Sequence, residues 1–338
     1  MSGKSVRKQR GVALLVVLIL LVMMSALAAK ISQQFCRNLQ KTRYQLSQQQ
    51  LRWAIQSQQK TIEGLLQTYA SGESKGLSPK GEWTEPVETE GEHYTVVSQI
   101  EDAQTCFNVN NLLAADPTPA VQTAGALPEK PVKARIVEQL LTDSGISAGD
   151  AEEIYQQLMD YLDGDTTTAK EGMETDAWAG VEPARLPANQ MMRTPGELKL
   201  LPAFPVAAYG RVSKVLCALP DTASKVDVNT LTEEQAPLLA ALFIGSLSED
   251  EAARLIASRP EEGWESMEAF QKALETNYPQ TKDALKQVQA FLAVNSHYFR
   301  VNSTGNTDDL TLRVVSQLHV DDEAGKVITW QRRYRMVE

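Results

Sequence analysis

The sequence is short of the side chains from which disulfide scaffolds and most hydrolytic sites are built: its 338 residues include three cysteines and three histidines. Three cysteines cannot staple a small disulfide-dense fold, and a chain of this length can bury a core without one. His93, His297 and His319 fall in or beside expected strands, with no serine or cysteine nucleophile motif near them. A structural or surface role is expected for each, and the chain is expected not to be an enzyme. Aromatic residues are scarce at 6%, yet 43% hydrophobic and 22% charged residues describe an ordered globular body rather than a disordered one. Positive charge is sparse beyond the start. Lys4, Arg7, Lys8 and Arg10 give residues 1–11 a charge of +4, which leaves −14 on the remainder. An acidic body repels phosphate backbones, so no nucleic acid is expected as a partner.

What the chain does have is one long apolar run. From Val12 to Ala29 there is no charged residue, and as a helix that stretch spans about 27 Å, close to the roughly 30 Å of bilayer hydrocarbon. Three fates fit such a segment: a secretory signal cut after "SALAA" (25–29), an uncut anchor, or a leader removed at Gly11 ahead of a retained helix. Beyond Lys30 the helical pattern continues without Gly or Pro until Gly64. Ile31, Phe35, Leu39, Leu46, Ala54, Ile55, Ile62, Leu65, Leu66 and Tyr69 recur largely at steps of three, four and seven. The pattern predicts one helix over 12–70, about 87 Å long, with 12–29 in the membrane. Ile31, Phe35, Leu39, Leu46, Ile55 and Ile62 are expected to pack against partner helices, and uncharged glutamines such as Gln48, Gln49 and Gln50 suit that contact. A cut after Ala29 would discard half of this helix.

Residues 71–92 carry glycine and proline at the density of a loop. "HYTVVSQIE" (93–101) then places Tyr94, Val96, Ser98 and Ile100 on one face of a strand. "DLTLRVVSQLHVDD" (309–322) alternates through Leu310, Leu312, Val314, Leu318 and Val320. "KVITWQRRYRM" (326–336) alternates through Ile328, Trp330, Tyr334 and Met336, and with Gly325 between them the two predict a hairpin. Between the first strand and this hairpin, helices are expected over about 131–142 and 148–162. Capping boxes at Thr194/Glu197, Thr232/Gln235 and Ser248/Glu251 mark three more helix starts. The fold class is therefore α+β: a long helix packed on an antiparallel sheet, with a large inserted α-helical domain.

"DYLDGDTTTAKEGMETD" (160–176) concentrates Asp160, Asp163, Asp165, Glu171, Glu174 and Asp176 at a helix end and the loop after it. Hard oxygen donors in a flexible mixed set suit calcium, which takes six to eight oxygens. The spacing is not that of an EF-hand. A solvated acidic loop is the alternative.

The basic leader ending in Gly11, followed by the uncharged run, resembles the type IV pilin and pseudopilin superfamily. More specifically, "EDAQTCFNVNNL" (101–112), "MDYLDGD" (159–165), "EGMETDAW" (171–178), "TPGELKLL" (194–201), "VDVNTLTEEQAPLLAALF" (226–243) and "VNSHYFRV" (294–301) occur in this order. Together they resemble the K-type minor pseudopilins of bacterial type II secretion systems over nearly the whole chain. The resemblance implies removal of leader 1–11 by a prepilin peptidase between Gly11 and Val12. It also implies a pseudopilin sheet region over 71–110, 210–226 and 294–338, and an insert over about 111–293. It favours calcium at the acidic loop and a Cys106–Cys217 bridge formed in the periplasm, where two buried free thiols are the alternative. Expected partners are I- and J-type minor pseudopilins, other pseudopilins and the inner membrane, with the body in the periplasm. Most members of the superfamily carry Glu at the fifth mature position, which here is Val16. A subunit with no neighbour above it has no amine for that carboxylate to meet, so Val16 and a bulky insert fit the tip of a pseudopilus; an ordinary apolar anchor residue is the alternative for Val16. The rival is a singly anchored periplasmic binding module of a DNA-uptake type. "VNTLTEEQAPLLAALF" with "SEDEAARLIASRP" is similar to helix-hairpin-helix repeats, but its hairpin "FIGSLSED" carries acids where phosphate would lie.

Overall fold

The computed structural model describes residues 10–70, 77–115, 130–184, 186–321 and 325–337. The chain opens with helix α1 (Arg10–Ala70), 61 residues or about 90 Å long. Its apolar half is exposed end to end, with Leu14, Leu20 and Met23 more than half accessible, and it is long and apolar enough to cross a membrane. Leader residues 1–9 lie outside the described residues.

The second half of α1 lies on a five-stranded antiparallel sheet of order β1-β2-β7-β8-β9. These strands are β1 (Val87–Gly91), β2 (Tyr94–Asp102), β7 (Tyr298–Asn306), β8 (Thr311–Asp321) and β9 (Lys326–Val337). Leu51, Ala54, Ile55, Ile62 and Leu66 of α1 are buried, spaced as one helical face. Two clusters form beneath them. Leu51 and Ile55 meet Val96, Leu312 and Val314, while Ile62 and Leu66 meet Ile100, Phe299, Val301 and Leu318. Full burial of each such side chain contributes about 1.5–3 kcal/mol. Ile55 and Ile62 are therefore core residues of this chain, correcting their expected role as partner contacts. Ile31, Phe35, Leu39 and Leu46 remain exposed.

Between the two clusters sit buried Gln58 and Gln59. Gln58 Nε2 donates to the carbonyls of Val87 (2.7 Å) and Val96 (3.1 Å), and Ser98 Oγ donates to Gln58 Oε1. On the other side Gln59 Nε2 donates to Thr329 Oγ1 at 2.7 Å, and its Oε1 accepts from Ser316 Oγ and Arg332. The helix is clamped to β1–β2 by one glutamine and to β8–β9 by the next.

One strand lies where a loop was expected, and another lies in the expected sheet region 294–338 without a strand pattern of its own. β1 falls inside the loop foreseen over 71–92, of which 71–76 are outside the described residues. β7 was concealed because its helix-facing positions include Ser303 and Gly305. A Cβ at Gly305 would stand 3.1 Å from Leu51 Cδ2 and 3.2 Å from Ile55 Cδ1, so glycine lets α1 close on the sheet. The hairpin β8–β9 forms with Gly325 at φ +58°, but its register shifts at Gln317/Leu318. The resulting bulge at Trp330 breaks the single alternation through Ile328, Trp330 and Tyr334. Trp330 packs instead with Tyr298 and the disulfide.

The insert leaves the sheet at Asp102 and returns at Tyr298. It contains α2 (Val132–Asp143), α3 (Ala148–Leu162), α4 (Thr175–Ala179), α5 (Tyr209–Val215), α6 (Ala236–Leu242), α7 (Glu249–Ala257), α8 (Met267–Asn277) and α9 (Lys282–Val288). All three capping boxes form, although the first opens a 3₁₀ turn over Pro195–Leu200 and the second a 3₁₀ turn over Glu233–Gln235 that leads into α6. Segment 210–226 does not join the large sheet. It supplies β4 (Leu216–Cys217), parallel to β3 (Phe107–Asn108), and ends at β5 (Val226–Asp227), parallel to β6 (Leu292–Ala293).

Candidate functional site

Helix α3 ends at Leu162, and Asp163 turns the chain out of it. The following loop folds back so that carboxylate oxygens of Asp163, Asp165 and Glu174 lie within 4.8 Å of one another. Local chemistry fixes this return. Trp178 of α4 is fully buried, donates Nε1–H to Met173 O at 2.9 Å, and packs on Tyr161 with ring centroids 5.6 Å apart. The Tyr161 hydroxyl donates to Glu197 of the Thr194 capping box at 3.1 Å. Asp160, buried, accepts from the Ala169 amide at 3.1 Å. A Cβ at Gly172 would run into the Asp160 carboxylate and stand 3.0 Å from Ala169 Cβ, so glycine lets the loop cross the helix end without displacing that carboxylate.

Of the six acids singled out in the sequence, three converge. Asp160 adjoins them but is spent on loop amides, and Glu171 and Asp176 stay exposed outside the cluster, which corrects the expected ligand set. Asp163 Oδ1 and both Glu174 oxygens are buried without a hydrogen-bond partner. Desolvation, then the neighbouring carboxylates, pushes the Asp163 and Glu174 carboxyls above their ordinary range. Desolvation does the same to Asp160, with Asp165 adding to it and the Ala169 and Met173 amides opposing it. Acceptor-only oxygens crowded without donors are what a hard cation satisfies, so the residues present fit calcium.

The junction between sheet and insert is the second feature. Cys106 and Cys217 are bridged, with Cα atoms 5.8 Å apart, beside the β3–β4 pair, whereas Cys36 is free and exposed on the stem. The asparagines around the junction are buried cross-links. Asn108 Oδ1 accepts from the Leu219 amide at 2.9 Å while Nδ2 donates to Asp221 O at 2.7 Å. Asn110 pairs with the backbone of Met192 through both amide atoms, and Asn229 joins Trp264 to Val294. Gln104 Oε1 accepts from the amides of His297 and Tyr298. Asparagine's paired donor and acceptor match one peptide group at both ends, a signal present in the sequence but silent about which peptide is met. His319 stacks on Tyr298, centroids 4.5 Å apart. The hairpin between α6 and α7 places exposed Glu249 and Asp250 beside it, and both helices pack into the insert core.

A sequence profile described as "Type II secretion system (T2SS), protein K" matches residues 105–221 and 226–291. The chain is 33% identical over 303 residues to the putative type II secretion system protein K of Escherichia coli K12, covering 89% of this chain and 90% of that protein. It is 31% identical over 329 residues to type II secretion system protein K of Pectobacterium carotovorum, covering 97% of each. Among solved structures, the complex of GspK, GspI and GspJ from enterotoxigenic Escherichia coli contains a chain of the same fold, with TM-score 0.72 and 24% identity, over 87% of this chain and 99% of that one. An exposed apolar stem clamped to a sheet, a rigidly tied helical insert and these matches lead to one assignment: the chain belongs to the type II secretion system protein K family.

Proposed function

We propose that this protein is the subunit at the tip of a type II secretion pseudopilus. It enters the inner membrane through residues 12–29, loses leader 1–11 to prepilin peptidase between Gly11 and Val12, and carries its body in the periplasm. The observation that supports this reading best is the attachment of the insert. It is fixed to the sheet where Gln104 accepts from the Tyr298 amide of β7, Thr230 donates to Asp102 of β2 and Trp330 of β9 packs against the disulfide, so it forms a rigid overhang that a subunit stacking above would meet. Ile31, Phe35, Leu39 and Leu46, exposed in the single chain, are the stem surface offered to I- and J-type partners below, with which the subunit starts assembly and limits length. The cluster Asp163, Asp165 and Glu174 holds calcium, whose charge offsets their repulsion and locks the loop. No observation favours the DNA-uptake module.

N-terminal sequencing of the envelope form is expected to start at Val12, and co-purification is expected to recover I- and J-type partners in one complex. Labelled protein found repeated along a pseudopilus shaft would overturn the tip assignment.

A further inference from the structure

The outer face of the large sheet and the wall of the insert enclose a cleft of about 900 Å³. Arg300 and Arg333 rise from its floor, and Arg193, Lys214 and Arg259 stand on its wall. The acids there are Glu101, Asp102 and Glu234. Glu101 faces Arg300 at 3.7 Å, and Asp102 is buried and held by Thr230, Ser296 and the Gln104 amide. Arg259 is spent on the Leu231 carbonyl at 2.8 Å. Arg193, Lys214 and Arg333 are exposed, and nothing among the described residues pairs with their charged groups. The basic surface continues past the rim, where Arg313 of β8 stands directly opposite Arg335 of β9, both exposed. Like charges facing across strands destabilise the free sheet. In a chain of net charge −10, concentrating unpaired cations on one concave face needs an anion to offset it.

We propose that this cleft and the adjoining Arg313/Arg335 face dock an extended acidic peptide segment of a protein partner. Clustered arginines are the usual means of recognising acidic motifs. A lipid surface fits poorly: the sheet cluster is first met by α1 at Tyr44, 15 residues past Ala29, or about 23 Å beyond the apolar run. That is several screening lengths of about 8 Å. The inference stands whether or not the subunit sits at a tip.

The test uses the full-length chain in detergent and fluorescence anisotropy of a short labelled peptide of alternating Glu and Gly, with a Gln/Gly peptide as control. The acidic peptide is expected to bind and the control not. Combined Arg193→Ser, Lys214→Ser and Arg333→Ser should keep the parental melting temperature and weaken binding roughly tenfold or more. Removing the same charge elsewhere, by Arg254→Ser, Lys272→Ser and Lys282→Ser, should leave binding within twofold. Arg335→Glu separates the roles: it places opposite charges across the strands, so the melting temperature should rise while peptide binding falls. Equal binding of the control peptide, equal loss in both triple variants, a lower melting temperature for Arg335→Glu, or displacement of the peptide by phosphatidylglycerol liposomes or duplex DNA at lower charge concentration would each overturn the proposal.

Discussion

The division of α1 into an exposed stem and a sheet-facing half yields opposite outcomes for two apolar truncations on the same helix. Ile62 is fully buried against Leu66, Ile100, Phe299, Val301 and Leu318. Truncating such a side chain to alanine costs about 2–5 kcal/mol through lost transfer energy and the cavity left behind. At about 3 kcal/mol, amide exchange in β7 and β8 should accelerate roughly a hundredfold wherever it proceeds by opening of this sheet. Phe35 is 66% exposed, so Phe35→Ala should leave that exchange unchanged. Its cost appears only on assembly. About two thirds of a phenylalanine's roughly 200 Å², buried at about 25 cal/mol per Å², is about 3 kcal/mol, or a hundredfold in affinity for a neighbouring stem. Hydrogen exchange of the detergent-solubilised chain, run beside quantitative co-purification with I- and J-type partners, reads both effects. Faster β7–β8 exchange in Phe35→Ala, or no change in Ile62→Ala, would refute the division.

Calcium should raise the melting temperature of the chain, by about 2.7 kcal/mol of stability at a hundredfold excess over its dissociation constant, and Glu174→Gln should abolish the gain in a thermal shift assay. Because desolvation and mutual repulsion raise the Asp163 and Glu174 carboxyls, protons compete for the site, and calorimetry should find affinity falling as pH is lowered. Burial, then the charge of Asp102, pushes the Asp227 carboxyl well above 3.8, and a side-chain hydrogen bond to Asp102 favours its protonated form. A raised native value makes the bound proton stabilising. That contribution is complete below the unfolded value near 3.8 and is lost as pH rises through the native one, so Asp227→Asn should flatten the decline of melting temperature toward alkaline pH. The Cys106–Cys217 bridge closes a loop with sequence separation 111, for which chain entropy gives about 4.7 kcal/mol. Replacing both cysteines by alanine should lower the denaturation midpoint accordingly, and an unchanged midpoint would count against the entropic account.

Features carried by period and local chemistry were legible in the sequence: the long helix, the alternation of β2, helices α2 and α3, and the capping boxes. Features set by a distant neighbour were not. Gln58 and Gln59 resemble the solvated glutamines around them until the sheet supplies carbonyls and hydroxyls for their amides. Ser303 and Gly305 weaken the pattern of β7 because the helix rests directly on them. The bulge at Trp330 reverses faces midway along β9, which no simple alternation records. At the acid loop the residue types were legible, but their convergence depends on Trp178 and Gly172 folding the loop back, so Glu171 and Asp176 could not be told from Asp163 and Glu174.

The paired glutamine clamp has a mechanical consequence. With Gln58 fastened to one half of the sheet and Gln59 to the other, the body has no freedom to swivel about its stem. Whatever fixes the azimuth of residues 31–46 against neighbouring helices also fixes the compass bearing of the cleft and the acid loop. Any turn imposed on the stem by the helices around it would thus reach the head undiminished, carrying the overhang through the same angle.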